Sequence, residues 1–238
     1  MRIVLPLALT AALLAVPVPA QAAAPLAARA AKAYGKPVIA PGKTTKVKVK
    51  AHVTGRNVTE VDVQVEHVDG KGIGFVRDIK RISGTSGDGV YEGYVELDKA
   101  DWGGRYNINI GATNGTSKDA DYDFRTFTKV AVFTVHRQTK LTTSAPKKIK
   151  KGRKLLVLGQ LTGFGRNGFA PMRRQKIAIY FRPKGSKKYT KVATVTTNSK
   201  GRYSRRFTAA RDGSVAAVYA GTQVWQKRVT AWKKIDVV

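Results

Sequence analysis

Side chains that commonly carry catalysis are scarce in this sequence of 238 residues. There is no cysteine, which excludes disulfides, thiolate metal sites and cysteine nucleophiles. The three histidines, His52, His67 and His136, lie far apart, and none belongs to a metal-binding or nucleophile motif. We expect each to be an exposed strand residue. The scarcity of such side chains favours a non-catalytic protein. A small secreted glycan-acting enzyme ranks third, after the two non-catalytic hypotheses given at the end of this subsection.

Calcium is the one metal that the sequence suggests. The alternating carboxylates Asp119, Asp121 and Asp123 could present oxygen ligands to Ca²⁺. The stretch lacks the later glycine and glutamate of an EF-hand loop. We therefore favour a solvated loop, keep calcium as the alternative, and expect no cofactor.

Basic residues dominate the composition and are unevenly placed. Lysine and arginine number 44 against 15 acidic residues, a formal charge of +29. Residues 139–238 hold 25 of the basic residues but only Asp212 and Asp236, a charge of +23, whereas residues 34–138 carry +3. Such an excess favours association with polyanions, so the expected partner is an anionic cell-wall polymer or polysaccharide. The alternative is that the charge serves solubility.

Pairs of neighbouring cations mark the candidate polyanion-binding residues. They are Lys147, Lys148, Lys150, Lys151, Arg153, Lys154, Arg173, Arg174, Lys187, Lys188, Arg205 and Arg206. Aromatic side chains between them could stack on bases or sugar rings, but we expect most of them to be core residues. These are Tyr180, Tyr189, Tyr203, Trp225 and Trp232. No nucleic-acid-binding motif is present, so sequence-specific nucleic-acid recognition is not expected.

The first residues have the pattern of a secretory signal peptide. A basic start precedes a nearly unbroken apolar run over Ile3–Val16, which is short for a membrane span. Ala20-Gln21-Ala22 then has the small-x-small form of a signal-peptidase site. We predict a signal peptide over 1–22, cleaved after Ala22 or alternatively after Ala24. The mature chain, which has no further stretch of transmembrane length, would be secreted, extracellular or loosely associated with the cell envelope.

Alternation of apolar and polar residues governs the rest of the chain. An Ala-rich stretch over 23–33 shows no such pattern and is expected to be a flexible leader. Lys46–Val53 and Tyr106–Ala112 alternate strictly, as half-buried strands do. Short strands separated by Asp-Gly, Gly-Gly and Asn-Gly turns predict an all-β protein. We expect two tandem β-sandwiches, over 34–138 and 139–238.

Several strand-and-turn motifs carry a resemblance to a known group of proteins. In the second half these are Lys150-Lys151-Gly152, a Gly-rich loop over 163–170, Phe181–Ser186, Tyr189–Thr197 and Lys200–Ser204. In the first half they are Asp101–Tyr106 before a strand and Phe133-Thr134-Val135 at its end. The chain thus resembles the bacterial Ig-like or transthyretin-like repeats of exported actinobacterial proteins. The resemblance implies spacer, adhesion or surface-binding modules and supplies no active-site motif.

The expected function follows from compartment, fold and charge together. The leading hypothesis is a secreted or envelope-associated, non-catalytic binding or adhesion module that is held by charge on an anionic polymer such as teichoic acid. The alternative is a structural spacer or protein-interaction module whose charge serves solubility. The sequence leaves the oligomeric state open.

Overall fold

A computed structural model describes residues 25–118 and 122–238, and within them the chain is all-β with no helix. The signal peptide and its cleavage at Ala22 lie outside the described residues and stay predictions. The first domain contains β1 (Ala27–Ala33), β2 (Val38–Ile39), β3 (Thr45–Thr54), β4 (Val58–His67), β5 (Ile73–Phe75), β6 (Arg77–Gly84), β7 (Asp88–Leu97), β8 (Gly104–Asn114) and β9 (Asp123–Arg137). The second contains β10 (Thr139–Leu141), β11 (Lys148–Ile149), β12 (Lys154–Gly165), β13 (Gly168–Pro171), β14 (Lys176–Pro183), β15 (Thr190–Thr196), β16 (Arg202–Thr208), β17 (Gly213–Tyr219), β18 (Arg228–Val229) and β19 (Lys233–Val237).

The first domain is a sandwich of two sheets, with strand orders β1-β3-β7-β6 and β2-β9-β8-β4-β5. Strand β3 shows how alternation builds it: Val47 and Val49 are buried in the core, whereas Lys46 and Lys48 point outward. The inward valines meet those of the facing sheet, among them Val63 on β4. Period-two alternation therefore places one face of each strand in the core, as predicted.

A tyrosine corner stands at the start of β8. The Tyr106 hydroxyl donates a hydrogen bond to the backbone oxygen of Trp102, 2.8 Å away and four residues upstream. Such a corner at this strand is a hallmark of immunoglobulin-like sandwiches. The ring of His67 packs edge-on against Tyr106 at 5.1 Å and is only 4% exposed. The expectation of an exposed His67 was wrong, because the end of β4 lies under the turn that leads into β8.

The second domain repeats the plan of the first. Its long strand β12 pairs with β16 along one half and with β10 and β13 along the other. The facing sheet has the order β11-β19-β17-β14-β15, with β18 on β17. In both domains a short early strand runs parallel to the last strand, β2 beside β9 and β11 beside β19. The expected fold of two tandem Ig-like β-sandwiches is confirmed.

Strand β1 corrects the expectation of a flexible leader over 23–33. Ala27–Ala33 pairs antiparallel with β3, and Leu26 just before it is 2% exposed in the first core. The alanines at 28, 31 and 33 pack against the same core. Alanine has weak strand propensity, so the pairing depends on the free edge that β3 offers rather than on local preference.

The two domains meet through Arg137, the last residue of β9. Its guanidinium donates to the backbone oxygens of Lys99 and Asp101 in the first domain and of Phe164 in the second. Phe164 itself packs in the first domain's core, although it belongs to β12. The stretch expected as a Gly-rich loop over 163–170 is thus a β12–β13 hairpin, and its Phe164 and Phe169 pack, respectively, in and against the core of the first domain. Hydrogen bonds and a shared core hold the domains in one arrangement.

Candidate polyanion-binding surface

All twelve predicted polyanion-binding residues are exposed, but they do not form one patch. Strand β12 runs from Lys154 to Gly165, and its Gly165 end lies beside the first domain. The Lys154 end therefore lies at the far side of the second domain. Lys154 pairs with Thr208 at the end of β16. In the facing sheet, Gly213 pairs with both Pro183 and Ile235. These strand ends therefore also lie at the far side of the second domain. We call this region, formed by 147–154, 182–188, 208–214 and 233–238, the distal tip.

Most of the predicted cations lie in the distal tip. Lys147, Lys148, Lys150, Lys151, Arg153, Lys154, Lys187 and Lys188 belong to its segments. The structure adds Lys184 and Arg211, which sequence reasoning missed because each is isolated in sequence, and Lys234, which it left out. Lys151 lines a concavity of about 350 Å³ with Lys184 and Arg211. Lys184 also lines an adjoining concavity of about 290 Å³ with Lys187 and Lys234.

The two acidic residues of the second domain are both engaged in the distal tip. Asp212 accepts a hydrogen bond from the backbone N–H of Val237 at 2.8 Å, and its carboxylate lies 3.6 Å from the Lys184 ammonium. That backbone hydrogen bond, followed by the charge of Lys184, holds the pKa of Asp212 below its ordinary value. Asp236 pairs with Lys234 at 3.1 Å. Residues 139–238 contain no third acidic side chain that could pair with the remaining cations of the tip.

The first domain pairs several of its lysines with carboxylates. On the outer face of β3, Lys48 and Lys50 lie 2.8 and 3.3 Å from the carboxylate of Glu92, and Lys46 lies 3.3 Å from that of Glu96. These cross-strand pairs hold the pKa of Glu92 below its ordinary value, chiefly through the hydrogen bond from Lys48. The charge asymmetry seen in the sequence is therefore also an asymmetry of surface.

The other predicted cations occupy separate places. Arg206 lies opposite Leu156 on the outer face of β12 and β16, in line with Lys154 and with Arg202, which the sequence analysis did not single out. Arg205 is on the inward-facing side of β16 but remains exposed. Arg173 and Arg174 form the turn before β14, at the end that faces the first domain. They cannot act together with the distal tip.

The aromatic residues divide into core and surface groups. Tyr203 is buried, and Trp225 packs against the second core. Tyr180, Tyr189 and Trp232 instead form a cluster on the outer face of the β14 sheet. The prediction that most are core residues was therefore wrong for three of the five. The alternation on β14 indicates the outer position of Tyr180, since Tyr180 is out of phase with the buried Ile177 and Ile179.

The other candidate sites are not assembled by the described residues. Asp123 pairs with Arg125 at 2.8 Å, and the calcium candidates Asp119 and Asp121 lie outside the described residues. Within 25–118 and 122–238 no group of histidine and carboxylate side chains could hold a metal ion. The Nε2 atom of His52 lies 2.5 Å from the Oδ1 atom of Asp88. His52 and His136 are both half-buried strand residues.

No family model matches the chain, and no curated protein matches it in sequence. Among solved structures, bovine butyrophilin has a TM-score of 0.42 at 10% identity, over 90% of this chain and all of that one. The D0-D1 domain of intimin has a TM-score of 0.30 at 13% identity, over 88% and 99%. A marsupial T cell receptor has a TM-score of 0.34 at 13% identity, over 88% and 71%.

In the part of the chain that the structure describes, no helix is long and apolar enough to cross a membrane.

The distal tip presents many ammonium and guanidinium groups around shallow concavities. Such groups bind anions as point charges and by forked hydrogen bonds. This arrangement suits a repeating anion more than a single small ligand.

Proposed function

We propose that this protein is an extracellular binding module that attaches to anionic cell-wall polymers or polysaccharides through the distal tip of its second domain. The fold of two Ig-like sandwiches suits a non-catalytic binding or interaction module. The observation that carries the proposal is the pairing of charges. The second domain's two carboxylate side chains are each engaged by a lysine, whereas the domain holds 25 basic residues in all.

Charge reversal in the full chain tests this proposal. Full-length protein is preferable to isolated domains because Phe164 of the second domain packs in the core of the first. The test variant carries Lys150→Glu, Lys151→Glu and Lys187→Glu, all at exposed positions of the tip. The matched control carries the same change at Lys36, Lys43 and Lys80, exposed lysines of the first domain.

The measurement is affinity for heparin and for purified cell wall as salt concentration rises. Binding to a polyanion releases counterions, and on nucleic acid the salt slope is about 0.7–0.9 per phosphate neutralised. We expect the tip variant to bind more weakly and to lose about two to three units of slope, while the control stays close to wild type. Equal losses in both variants would leave only net charge as the cause. Unchanged binding in both would remove the proposal.

A structural spacer is the second candidate, and the domain junction favours it. Arg137 hydrogen-bonds to both domains, and its backbone N–H and oxygen pair with Val224 and Gln226 of the second domain. A fixed arrangement of tandem sandwiches is what a spacer needs. This role would take precedence if reversal of the tip charges left polymer binding unchanged.

A further inference from the structure

A shallow cleft of about 300 Å³ lies on the outer face of the second domain, next to the distal tip. Its lining residues are Tyr180, Tyr189, Ala216, Val218, Lys227, Val229 and Trp232. The volume is at the lower end of the range for small-ligand sites. None of these residues is acidic, and Tyr189 is 61% exposed although aromatic.

The sheet register explains how the cleft is made. Tyr180 lies between Ala216 on β17 and Lys191 on β15, so these three residues form one row across the outer face. Ala216 is only 1% exposed although it lies on this outer face and lines the cleft. Ala216 thus lies at the base of the cleft, and the rings of Tyr180, Tyr189 and Trp232 form its sides.

The rings form an angular notch. The Tyr180 and Tyr189 ring centroids are 5.4 Å apart with an interplanar angle of 85°, and those of Tyr189 and Trp232 are 6.0 Å apart at 53°. A flat base is best held between parallel ring faces or on a single one. Inclined walls suit a puckered ring that presents C–H groups on more than one side, as a pyranose does.

Cations surround the notch. The Arg182 guanidinium lies 4.7 Å from the centre of the Trp232 ring, which orders both side chains by a cation–π contact. Lys227 lines the cleft, and Lys191 is exposed beside Tyr180. A carboxylate, sulfate or phosphate on the bound ring would meet these charges.

We infer that this aromatic cleft binds one pyranose unit of an anionic glycan. The inference rests on the proposed function for the anionic class of the ligand, and it adds that the polymer is a polysaccharide. The ring packs against Tyr189 and Trp232, and its anionic substituent pairs with Arg182 or Lys227. The distal tip then binds further anionic groups of the same glycan.

The test compares polyanions with and without sugar rings on the full-length chain. The probes are a heparin hexasaccharide, polyphosphate of matched charge and oligothymidine, each measured by titration calorimetry. The test variant is Tyr189→Ala, at an exposed position that contributes little to the core. The control is Tyr122→Ala, because Tyr122 is also an exposed tyrosine but belongs to the first domain.

We expect Tyr189→Ala to weaken heparin binding about ten-fold, the order found when a ring that stacks on a base is removed, and to change polyphosphate binding less than two-fold. Tyr122→Ala should alter neither. Equal effects of Tyr189→Ala on heparin and polyphosphate, no effect on either, or a matching loss for oligothymidine would overturn the inference. If heparin binding required Tyr189 but polyphosphate were not bound at all, the cleft would stand and the proposed charge-mediated function would fail.

Discussion

Tyr106 links a single hydroxyl to the stability of the first domain. Burial, and secondarily the charge of Asp101, raise the pKa of Tyr106 to about 12. The folded state therefore keeps this proton at pH values where an unfolded tyrosine, with a pKa near 10, has lost it. Because the folded state then binds more protons than the unfolded state, the free energy of unfolding falls as pH rises from about 10 to 12.

The variant Tyr106→Phe tests this relation. At neutral pH it should lower the free energy of unfolding by about 1 kcal/mol, because the hydrogen bond to Trp102 is lost. Between pH 10 and 12 its decline with pH should be shallower than that of wild type. Urea unfolding across this range is the measurement, with Tyr122→Phe as an exposed control. Parallel declines in Tyr106→Phe and wild type would show that Tyr106 does not titrate in this way.

Sequence alone predicted the exposure of single residues unevenly. The twelve paired cations are exposed as expected, because long charged side chains avoid burial. His67 was expected outside and is buried, and the expectation of core positions for most of the aromatic residues failed at Tyr180, Tyr189 and Trp232. Alternation gives the phase of a residue within its strand, but the neighbouring turn buries His67, and Tyr180, on the outer face of β14, is half-buried.

Strand β1 is expected to contribute to the stability of the first domain. A chain that begins at Tyr34 loses the pairing of β1 with β3 and the buried side chain of Leu26. Removing a buried leucine commonly costs about 2–5 kcal/mol, and the bared edge of β3 favours aggregation. Urea unfolding should show a loss of at least about 2 kcal/mol relative to a chain that begins at Pro25. Equal midpoints for the two chains would mean that β1 does not belong to the folded unit.

At the scale of elements, strands with strict alternation were the most predictable, and two elements were missed. Strands β3, β4 and β8 follow the valine and isoleucine pattern, and their bounds lie close to the expected runs. Strand β1 and the β12–β13 hairpin were missed, because alanine and glycine runs carry no alternation. Both gain order from a partner that is distant in sequence, β3 in one case and the first core in the other.

Over the whole molecule, Arg137 couples the stability of the two domains. Burial, with the nearby charge of Arg166, lowers the pKa of this guanidinium from its ordinary value. Its hydrogen bonds to Lys99 and Phe164 satisfy backbone oxygens on both sides of the junction. A lysine has no fork with which to reach all of these acceptors.

We expect Arg137→Lys to lower the free energy of unfolding by about 1–3 kcal/mol, since buried carbonyls lose a charged donor. In scanning calorimetry we expect wild type to unfold in a single transition and Arg137→Lys to show a broadened transition or two separate ones. Arg125→Lys, at an exposed position of the first domain, should stay within about 0.5 kcal/mol of wild type. A wild type that already unfolds in two separate steps would contradict the coupling.

The parallel pairing of first and last strands has a mechanical consequence. Strand β2 lies near the start of the first domain and β9 at its end, so tension along the chain pulls the two strands in opposite directions. The bonds from His136 N–H to Pro37 and from Gln138 N–H to Ile39, both 2.9 Å, would then be loaded together in shear rather than opened one by one. Strands β11 and β19 repeat this geometry. A chain tethered at both ends would resist stretching at these two short ladders.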